Sequence, residues 1–370
     1  MEYLALARKS RQAAVYELKG EYGDSLTRYI ASTPQSRLLL NSPEIVGVRY
    51  TDLLEDAVVA VLANLPAASS LRRLDPRTIG VIHFLRGSLN FGMRRALARA
   101  YGFNVHCSSF ITSQRERDAY GRWFIKDNQY RKIAIPPHAT LFFADVIATG
   151  VTISNGLEII VQLAKNSGAP IRQIVFFTIG CHKLEKLLRE YSRRLKEIFP
   201  GYERTVAVYL EGKFHLADSK TAVRIKLQGT DLMRHPAILA PEFELAQYER
   251  LSSALERCVV YDAGTRAFDA DDYLRKLEAY WEEVRRQAGK GWTLEEALRE
   301  RWPEEEYRLP YDRFRAAKTA QWRGVGDAFL RRLHGAFKAR WTKGFAHRAG
   351  TPKALAELCS LRLREIARAR

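Results

Sequence analysis

The sequence lacks the features that would place a chain in a membrane or in an oxidising compartment. No stretch reaches the roughly 18 to 20 uninterrupted apolar residues that a membrane span needs, and residues 1–11 carry no apolar core of a secretory signal. Four cysteines, Cys107, Cys181, Cys258 and Cys359, are scattered without the short paired spacings of zinc sites or small disulfide frameworks. We therefore expect a cytoplasmic protein with no membrane partner, in which the cysteines are reduced packing residues.

Internal repeats and low-complexity tracts are also absent. What is present is typical of an ordered globular protein: 46% of the residues are hydrophobic and 28% are charged, and 17 Tyr, 17 Phe and 6 Trp supply large core side chains. The length of 370 residues exceeds the usual size of about 100 to 200 residues per domain. We expect one large domain with a smaller one appended.

The positive charge is concentrated near the end of the sequence. The formal net charge is +18, and residues 313–370 hold 15 Lys and Arg against three acids, a net +12. Such a patch can bind the phosphates of nucleic acid, an anionic membrane surface or an acidic partner. A solvated basic face on a helical domain is the alternative.

Residues 78–212 alternate short apolar runs with longer amphipathic stretches, which is typical of strand-helix-strand units. Strands are predicted at 79–84, 139–144, 173–179 and 205–210, more weakly at 103–108, and helices at about 89–101, 152–166 and 182–197. Right-handed crossovers leave the carboxyl ends of the strands as the binding edge. The predicted fold class is α/β, a central mostly parallel sheet with helices on both faces, plus a helical C-terminal region.

Three parts are predicted along the chain. Residues 1–34 form an N-terminal helical segment, residues 35–245 the α/β domain, and residues 246–370 a helical, basic C-terminal domain. The polar stretch 111–138 interrupts the α/β alternation, and a connection of this length is usually an active-site lid or a disordered segment. In the C-terminal part, Thr293 and Glu296 fit a capping box.

The strongest local signal lies at residues 141–153, with the sequence Leu-Phe-Phe-Ala-Asp-Val-Ile-Ala-Thr-Gly-Val-Thr-Ile. An apolar strand here runs into a small, hydroxyl-bearing loop and then a helix. Such a turn offers backbone N–H groups, two hydroxyls and a helix amino terminus to one phosphate. The segment predicts a phosphate-binding loop, and an ordinary strand-turn-helix without a ligand is the alternative.

This segment resembles the phosphoribosyl-pyrophosphate motif of type I phosphoribosyltransferases, in which an apolar strand is followed by two acids, two apolar residues, Ala-Thr-Gly and a further small or hydroxyl residue. The resemblance implies a phosphoribosyltransferase-like domain over residues 35–245, in which Asp145 binds the ribose hydroxyls and acts in catalysis. It also implies that the 5-phosphate is held by Thr149, Gly150, Val151 and Thr152, and that Ala148 belongs to the substrate-binding loop.

Two positions depart from the family pattern. Ala144 stands where the family usually carries the first of the two acids, and this loss would weaken ground-state binding or abolish turnover. Val151 replaces the commoner Gly or Lys, which matters less because the loop binds phosphate mostly through its main chain. An alanine at position 148 is more typical of the adenine and uracil branches of the family than of the hypoxanthine-guanine branch. This similarity does not identify the acceptor base.

A second element follows the strand that ends at Phe84. The sequence continues Leu85, Arg86, Gly87, Ser88, and the family places its pyrophosphate loop, with a basic residue and a glycine, after its first core strand. The resemblance implies that Arg86 and the main-chain N–H groups of Gly87 and Ser88 bind the leaving pyrophosphate.

The implied reaction is transfer of a phosphoribosyl group to a nitrogenous acceptor, with Mg²⁺ held mainly by the substrate. The lid 111–138 would exclude water from the oxocarbenium-like transition state. Within the lid, Arg115, Arg117 and Arg122 could reach the diphosphate, although a solvated loop is an equal alternative for each. The N-terminal segment and residues 213–245 would form a hood over the acceptor, and a homodimer would be common for the family.

Two other interpretations stay open. Some family members bind phosphoribosyl pyrophosphate or nucleotides without turnover and regulate transcription through nucleic acid, and both Ala144 and the basic residues 313–370 favour that alternative. The other open interpretation is an assembly module that binds no ligand. His83, inside an apolar strand, is interpreted as a satisfied core histidine, and the aromatic residues of 322–341 are interpreted as core.

Overall fold

The predicted apolar runs form the central strands of one large sheet. The computed structural model describes residues 2–20, 26–85, 87–112, 114–117, 120, 123–127, 130–147, 150–217, 220–225, 232–247, 252–255, 269–301, 308–339 and 350–370. The strands are β1 Tyr3–Lys9, β2 Ala14–Lys19, β3 Leu26–Ser32, β4 Ile79–Leu85, β5 Cys107–Thr112, β6 Gln114–Arg117, β7 Trp123–Asp127, β8 Arg131–Lys132, β9 Ala139–Ile147, β10 Ile171–Cys181, β11 Arg204–Leu216, β12 Leu232–Leu239 and β13 Trp322–Arg323.

Helices connect these strands and form most of the C-terminal part. They are α1 Pro34–Asn41, α2 Gly47–Asn64, α3 Ala68–Arg72, α4 Met93–Tyr101, α5 Val151–Ser167, α6 Lys183–Ile198, α7 Pro241–Ala246, α8 Ser252–Leu255, α9 Ala270–Gly289, α10 Leu294–Arg301, α11 Tyr311–Gln321, α12 Asp327–Lys338 and α13 Pro352–Ala369. Short 3-10 turns cover Pro76–Thr78 and Gly87–Phe91. No helix in the described ranges is long and apolar enough to cross a membrane.

The strand order of the large sheet is β13-β1-β2-β3-β11-β10-β9-β4-β5-β8, with β12 paired to β11. Neighbouring strands from β3 to β5 run parallel. Antiparallel strands extend both sides, with β2 on β3 and β8 on β5. The prediction of an α/β fold with a mostly parallel sheet is therefore confirmed.

The direction of winding reverses between β4 and β9. From β4 the chain passes through α4 to β5 on one side, and from β9 it passes through α5, β10 and α6 to β11 on the other. Because such crossovers are right-handed, α4 and the α5–α6 pair lie on opposite faces of the sheet. Open α/β sheets bind ligands in the crevice beyond the carboxyl ends of the strands at such a reversal.

Neighbouring side chains of β4 show the two faces directly. Phe84 packs against α5 at Gly156, where an added Cβ would lie 2.0 Å from the Phe84 ring, so only glycine allows this approach. The preceding side chain, His83, borders a cavity beside α4, as the alternation of a strand requires. The close packing at Gly156 fixes the start of α5 relative to the end of β4.

The prediction of an N-terminal helical segment over residues 1–34 is wrong. This part forms β1, β2 and β3, with α1 starting only at Pro34. Its buried side chains, such as Val15 and Ile30, belong to the core of the sheet. Because β3 pairs in parallel with β11, the sheet satisfies the backbone N–H and C=O groups that a helix would have satisfied internally.

Two element boundaries also differ from expectation. The weak strand predicted at 103–108 starts instead at Cys107, because α4 ends in the left-handed Gly102 (φ 77°) and a short connection follows. The helix predicted at 89–101 starts at Met93, since residues 87–91 form a 3-10 turn.

The predicted C-terminal domain, residues 246–370, is not one unit. The helices α11 and α12 join the core of the sheet through Phe314, Trp322, Leu330, Leu333 and Phe337. The helices α9, α10 and α13 enclose a second core that includes Trp281, Leu294 and Leu355. The expected helical content is confirmed, as is the capping box, in which Thr293 N–H donates to Glu296 Oε2 at 2.8 Å and Glu296 N–H to Thr293 Oγ1 at 3.2 Å.

None of the described cysteines forms a disulfide. Cys181 and Cys359 are buried, whereas Cys107 is only half-buried. Cys258 and Trp341 lie outside the described residues.

Candidate functional site

The structure describes part of the predicted phosphate site. Asp145, Gly150, Val151 and Thr152 are described, whereas Ala148 and Thr149 lie outside the described residues. Arg86 and Arg122 lie outside them as well. For Arg115 and Arg117 the structure describes the main chain alone, on β6.

Asp145 lies against the loop that follows β4. Its Oδ1 atom accepts a hydrogen bond from the Val146 N–H at 2.9 Å, and its carbonyl accepts one from the Thr178 hydroxyl at 2.8 Å. A Cβ added at Gly87 would lie 2.6 Å from Asp145 Oδ1. A side chain at position 87 would force the Asp145 carboxylate to shift, so the loop after β4 and the end of β9 lie in direct contact at the crevice.

Ser88 connects the turn after β4 to β4 itself and to β9. Its hydroxyl donates to the Ala144 carbonyl and accepts from the Phe84 N–H, the latter at 3.0 Å. The residue is only 1% exposed. The hydroxyl therefore serves the fold, and the predicted role of Ser88 toward a ligand is left to its main chain.

Ala144 faces away from Asp145. Successive side chains of a strand point to opposite faces, and Ala144 is 2% exposed within the core of the sheet. A carboxylate at this position would be buried there at a high free-energy cost. Alanine at position 144 therefore fits the apolar packing around the end of β9.

Helix α5 begins directly after the loop, with Gly150 as its N-cap. Gly150 has φ 78° and ψ −2°, the left-handed conformation that glycine adopts at low cost. No side chain among the described residues caps this end of the helix, and its first turn holds no acid. The first N–H groups of a helix have no partner within it, and together with the helix dipole they favour an anion beside Val151 and Thr152.

A cavity of about 470 Å³ lies between the amino-terminal ends of α5 and α6. Gly150, Val151 and Ser154 line one side, and His182, Lys183, Lys186, Leu187 and Glu190 line the other. The two exposed lysines add positive charge at the edge where α5 begins. Burial first, and then the Lys183 charge, lowers the pKa of His182, so this ring is neutral near pH 7.

Sequence analysis missed His182, Lys183 and Lys186. A signal was present, since the three residues follow a predicted strand and open the next predicted helix, which places them at the carboxyl edge of the sheet. Their proximity to Gly150, more than 30 residues earlier, depends on β9 and β10 being neighbours. That pairing is not encoded in the local pattern.

The predicted lid contains a hairpin. Strands β6 and β7 pair antiparallel, with Arg115 opposite Ile125 and Arg117 opposite Trp123. Strand β7 contacts α5, and β8 then returns to pair with β5. The hairpin therefore lies next to the helix that begins at the phosphate loop, and its role as a lid stays a prediction.

The predicted hood, residues 213–245, includes charged side chains that are held internally. Lys213 pairs with Glu2 and, at 3.3 Å, with Glu185. Arg234 donates to Asn41 Oδ1 at 2.7 Å. These contacts connect the end of β11 to Glu2 and to α6, and they connect β12 to α1.

The basic region 313–370 also uses part of its charge internally. Lys318 is buried and pairs with Glu244 at 2.6 Å. Arg362 is fully buried and binds Glu44 at 2.9 Å. The described helices α12 and α13 belong to different cores, so the basic residues of these two helices do not lie on one continuous helix.

Comparison with models of known protein families finds no match to this chain, and comparison with curated proteins likewise finds none.

Proposed function

We propose that the chain binds phosphoribosyl pyrophosphate in the crevice between β4 and β9 and transfers its phosphoribosyl group to a nitrogenous acceptor, with release of pyrophosphate. The proposal includes a type I phosphoribosyltransferase-like fold for the α/β part. Its main support is the approach of Gly87 to Asp145, with 2.6 Å between an added Cβ and Oδ1. This approach joins two segments that the sequence analysis assigned separately to one donor molecule.

The order of groups along the crevice matches the order of groups in the donor. The uncapped start of α5 offers backbone N–H groups for the 5-phosphate. Asp145 lies next, and its carboxylate retains acceptor capacity for the ribose hydroxyls after receiving the Val146 N–H. The loop 87–91 follows, where main-chain groups would bind the pyrophosphate.

In the proposed reaction, the bond between the anomeric carbon and the pyrophosphate oxygen breaks, and its electron pair leaves with pyrophosphate. The lone pair of an acceptor nitrogen forms the new bond to carbon. The Asp145 carboxylate, hydrogen-bonded to the ribose, stabilises positive charge that develops on the sugar. Mg²⁺, bound mainly by oxygens of the donor, would offset charge on the leaving group, and a carboxylate oxygen of Asp145 is the type of ligand that it prefers.

The test is metal-dependent release of pyrophosphate from phosphoribosyl pyrophosphate, measured with a panel of purine and pyrimidine bases. We expect release with at least one base, and a large loss in Asp145→Asn. Glu158→Gln is the control, because Glu158 lies on α5 but pairs with Arg194 on α6 rather than facing the crevice. Donor binding without release for any base would remove the transfer reaction, and absence of donor binding would overturn the whole proposal.

Ala144 favours a second candidate, a sensor that binds the donor or a nucleotide without turnover. One carboxylate suffices to bind ribose hydroxyls, but it provides less negative charge near the sugar than two. The same assay separates the candidates, since a sensor would bind the donor and release no pyrophosphate.

A further inference from the structure

A second cavity lies on the other face of the sheet, beside α4. Its volume is about 480 Å³, within the usual range of about 300 to 1,000 Å³ for small-molecule sites. Polar side chains at its wall include His83, His106 and Arg94, and apolar ones include Leu89, Met93 and Phe103. Of these residues only Leu89 belongs to the proposed donor crevice, where the main chain of the loop 87–91 is assigned to the pyrophosphate.

His83 is the feature that sets this cavity apart. The residue is 4% exposed, and neither ring nitrogen has a hydrogen-bond partner among the described residues. Its ring stacks on Phe110, with 5.0 Å between centroids and 17° between planes. The interpretation of His83 as a core histidine is thus confirmed for its burial, but the described residues do not satisfy it. An imidazole that loses water and gains no partner destabilises the fold, and a ligand in the cavity would supply the partner.

The charge around His83 selects for an anion. Burial, and after it the Arg94 charge, lowers the pKa of His83 to about 4 and also lowers the pKa of His106. Both rings are therefore neutral near pH 7, and each has an N–H that can donate. Arg94 is exposed on α4 and adds a permanent positive charge.

Glu55, an acid beside the cavity residue Gly92, is paired with two arginines. Glu55 on α2 lies close to Gly92 and pairs with Arg95 at 3.5 Å and with Arg99 at 2.9 Å. Arg94 is not part of that cluster. Its charge therefore remains the positive charge that a bound anion would meet.

We propose that this cavity binds a small amphipathic oxyanion, a molecule that joins a phosphate or carboxylate group to an apolar ring or chain. The oxyanion accepts hydrogen bonds from the Arg94 guanidinium and from an N–H of His83. The apolar part contacts Leu89, Met93 and Phe103. The cavity lies across the sheet from the α5 loop, so both sites can be occupied together.

The test is calorimetric titration with phenyl phosphate, benzoate, inorganic phosphate and phenol, each with phosphoribosyl pyrophosphate and Mg²⁺ at saturating concentrations. Under those conditions the donor crevice is filled. We expect phenyl phosphate or benzoate to bind at least tenfold more tightly than phenol and inorganic phosphate. Comparison of the first two probes identifies which oxyanion is preferred.

Two variants locate the binding. His83→Phe keeps the stack on Phe110 and removes the donors, and Arg94→Gln removes the charge. Each should weaken binding of the preferred probe about tenfold, the usual effect of losing a charge-assisted hydrogen bond. Arg77→Gln is the matched control, because Arg77 is an exposed arginine whose partner is Asp75. The affinity of this variant for the preferred probe should equal the wild-type value.

Failure of the aryl anions to bind the wild-type protein would overturn the proposal, as would wild-type affinity in both variants. If His83→Phe does not fold, the Arg94→Gln result still decides. Nuclear magnetic resonance of ¹⁵N-histidine-labelled protein gives a direct readout, since the His83 ring signals should shift on adding the preferred probe. Unchanged ring signals at saturation would contradict the proposal.

Discussion

The loop after β9 and the basic region 313–370 present positive potential in different ways. At the loop, the Asp145 carboxylate and the start of α5 lie at the two ends of one strand-helix junction, and Gly87 and Ser88, in the turn after β4, contact the Asp145 end. In the basic region, the described helices pack on two different cores, and Lys318 and Arg362 are buried in internal ion pairs. Backbone N–H groups at a strand-helix junction keep the position that the fold gives them. Charged side chains, in contrast, can form ion pairs inside the protein and are then not available to a ligand.

The largest effect expected from this comparison concerns the two glycines at the ends of α5. Gly150 and Gly168 have φ of 78° and 62°, and a Cβ would meet nothing within 4 Å at either position. Gly150→Ala and Gly168→Ala should therefore lose a similar free energy of unfolding, about 1 kcal/mol. Only Gly150→Ala should weaken ribose 5-phosphate binding, by more than tenfold, because relief of its strain rotates the N–H groups of the first turn.

Calorimetry for binding and urea denaturation for stability check this pair. Equal ribose 5-phosphate affinity in the two variants would show that the start of α5 does not hold the phosphate.

The next effect concerns the carboxylate. Asp145→Asn should weaken phosphoribosyl pyrophosphate binding about tenfold or more, because a charge-assisted hydrogen bond is worth roughly 1.5 to 3 kcal/mol. Binding of inorganic phosphate, which has no ribose, should stay within a factor of about two of wild type. Titration of both ligands against the folded variant measures this, and unchanged donor affinity would mean that Asp145 does not contact the ribose.

A smaller effect is expected from the lysines of α6. Lys183→Gln should weaken ribose 5-phosphate binding about two- to fivefold, since an exposed charge near a phosphate contributes up to about 1 kcal/mol. Lys196→Gln, at the other end of the same helix, is the matched control and should have no effect. The difference between them should shrink at high salt, and a difference that persists at 1 M salt would argue for a direct hydrogen bond instead.

The smallest effect is expected in the basic region. Arg331, Arg332 and Lys338 lie on α12, and reversing all three to Glu should change duplex DNA and RNA affinity less than about twofold, because the region offers no single phosphate-binding face. Fluorescence anisotropy over a salt series measures this. A wild-type log-log slope near −0.9 for each of several phosphates, flattened by the reversal, would restore the nucleic-acid interpretation.

The central strands and the junction from β9 to α5 could be predicted because each is local in the sequence. Buried parallel strands are near-continuous apolar runs, as in β9 and β10, and the loop groups are consecutive residues. The N-terminal strands could not be predicted in the same way. Charged residues such as Arg8 and Glu17 interrupt β1 and β2, and β3 pairs with β11, which lies far along the chain.

The candidate site shows the same division. Asp145 and Gly150 could be predicted from the motif, whereas the contribution of Lys183 depends on strand order and that of Ser88 on a hydrogen bond across two loops. His83 was recognisable as buried from its apolar neighbours. The absence of a described partner for its nitrogens becomes visible only when the facing side chains are placed.

The most direct test of the central claim is a calorimetric comparison of phosphoribosyl pyrophosphate, ribose 5-phosphate and ribose on the wild-type protein with Mg²⁺. The proposed crevice binds the 5-phosphate at α5, the hydroxyls at Asp145 and the pyrophosphate at the loop after β4. Affinity should therefore fall from phosphoribosyl pyrophosphate to ribose 5-phosphate, and ribose should not bind measurably. Equal affinity for ribose and ribose 5-phosphate, or no binding of phosphoribosyl pyrophosphate, would contradict the proposed function.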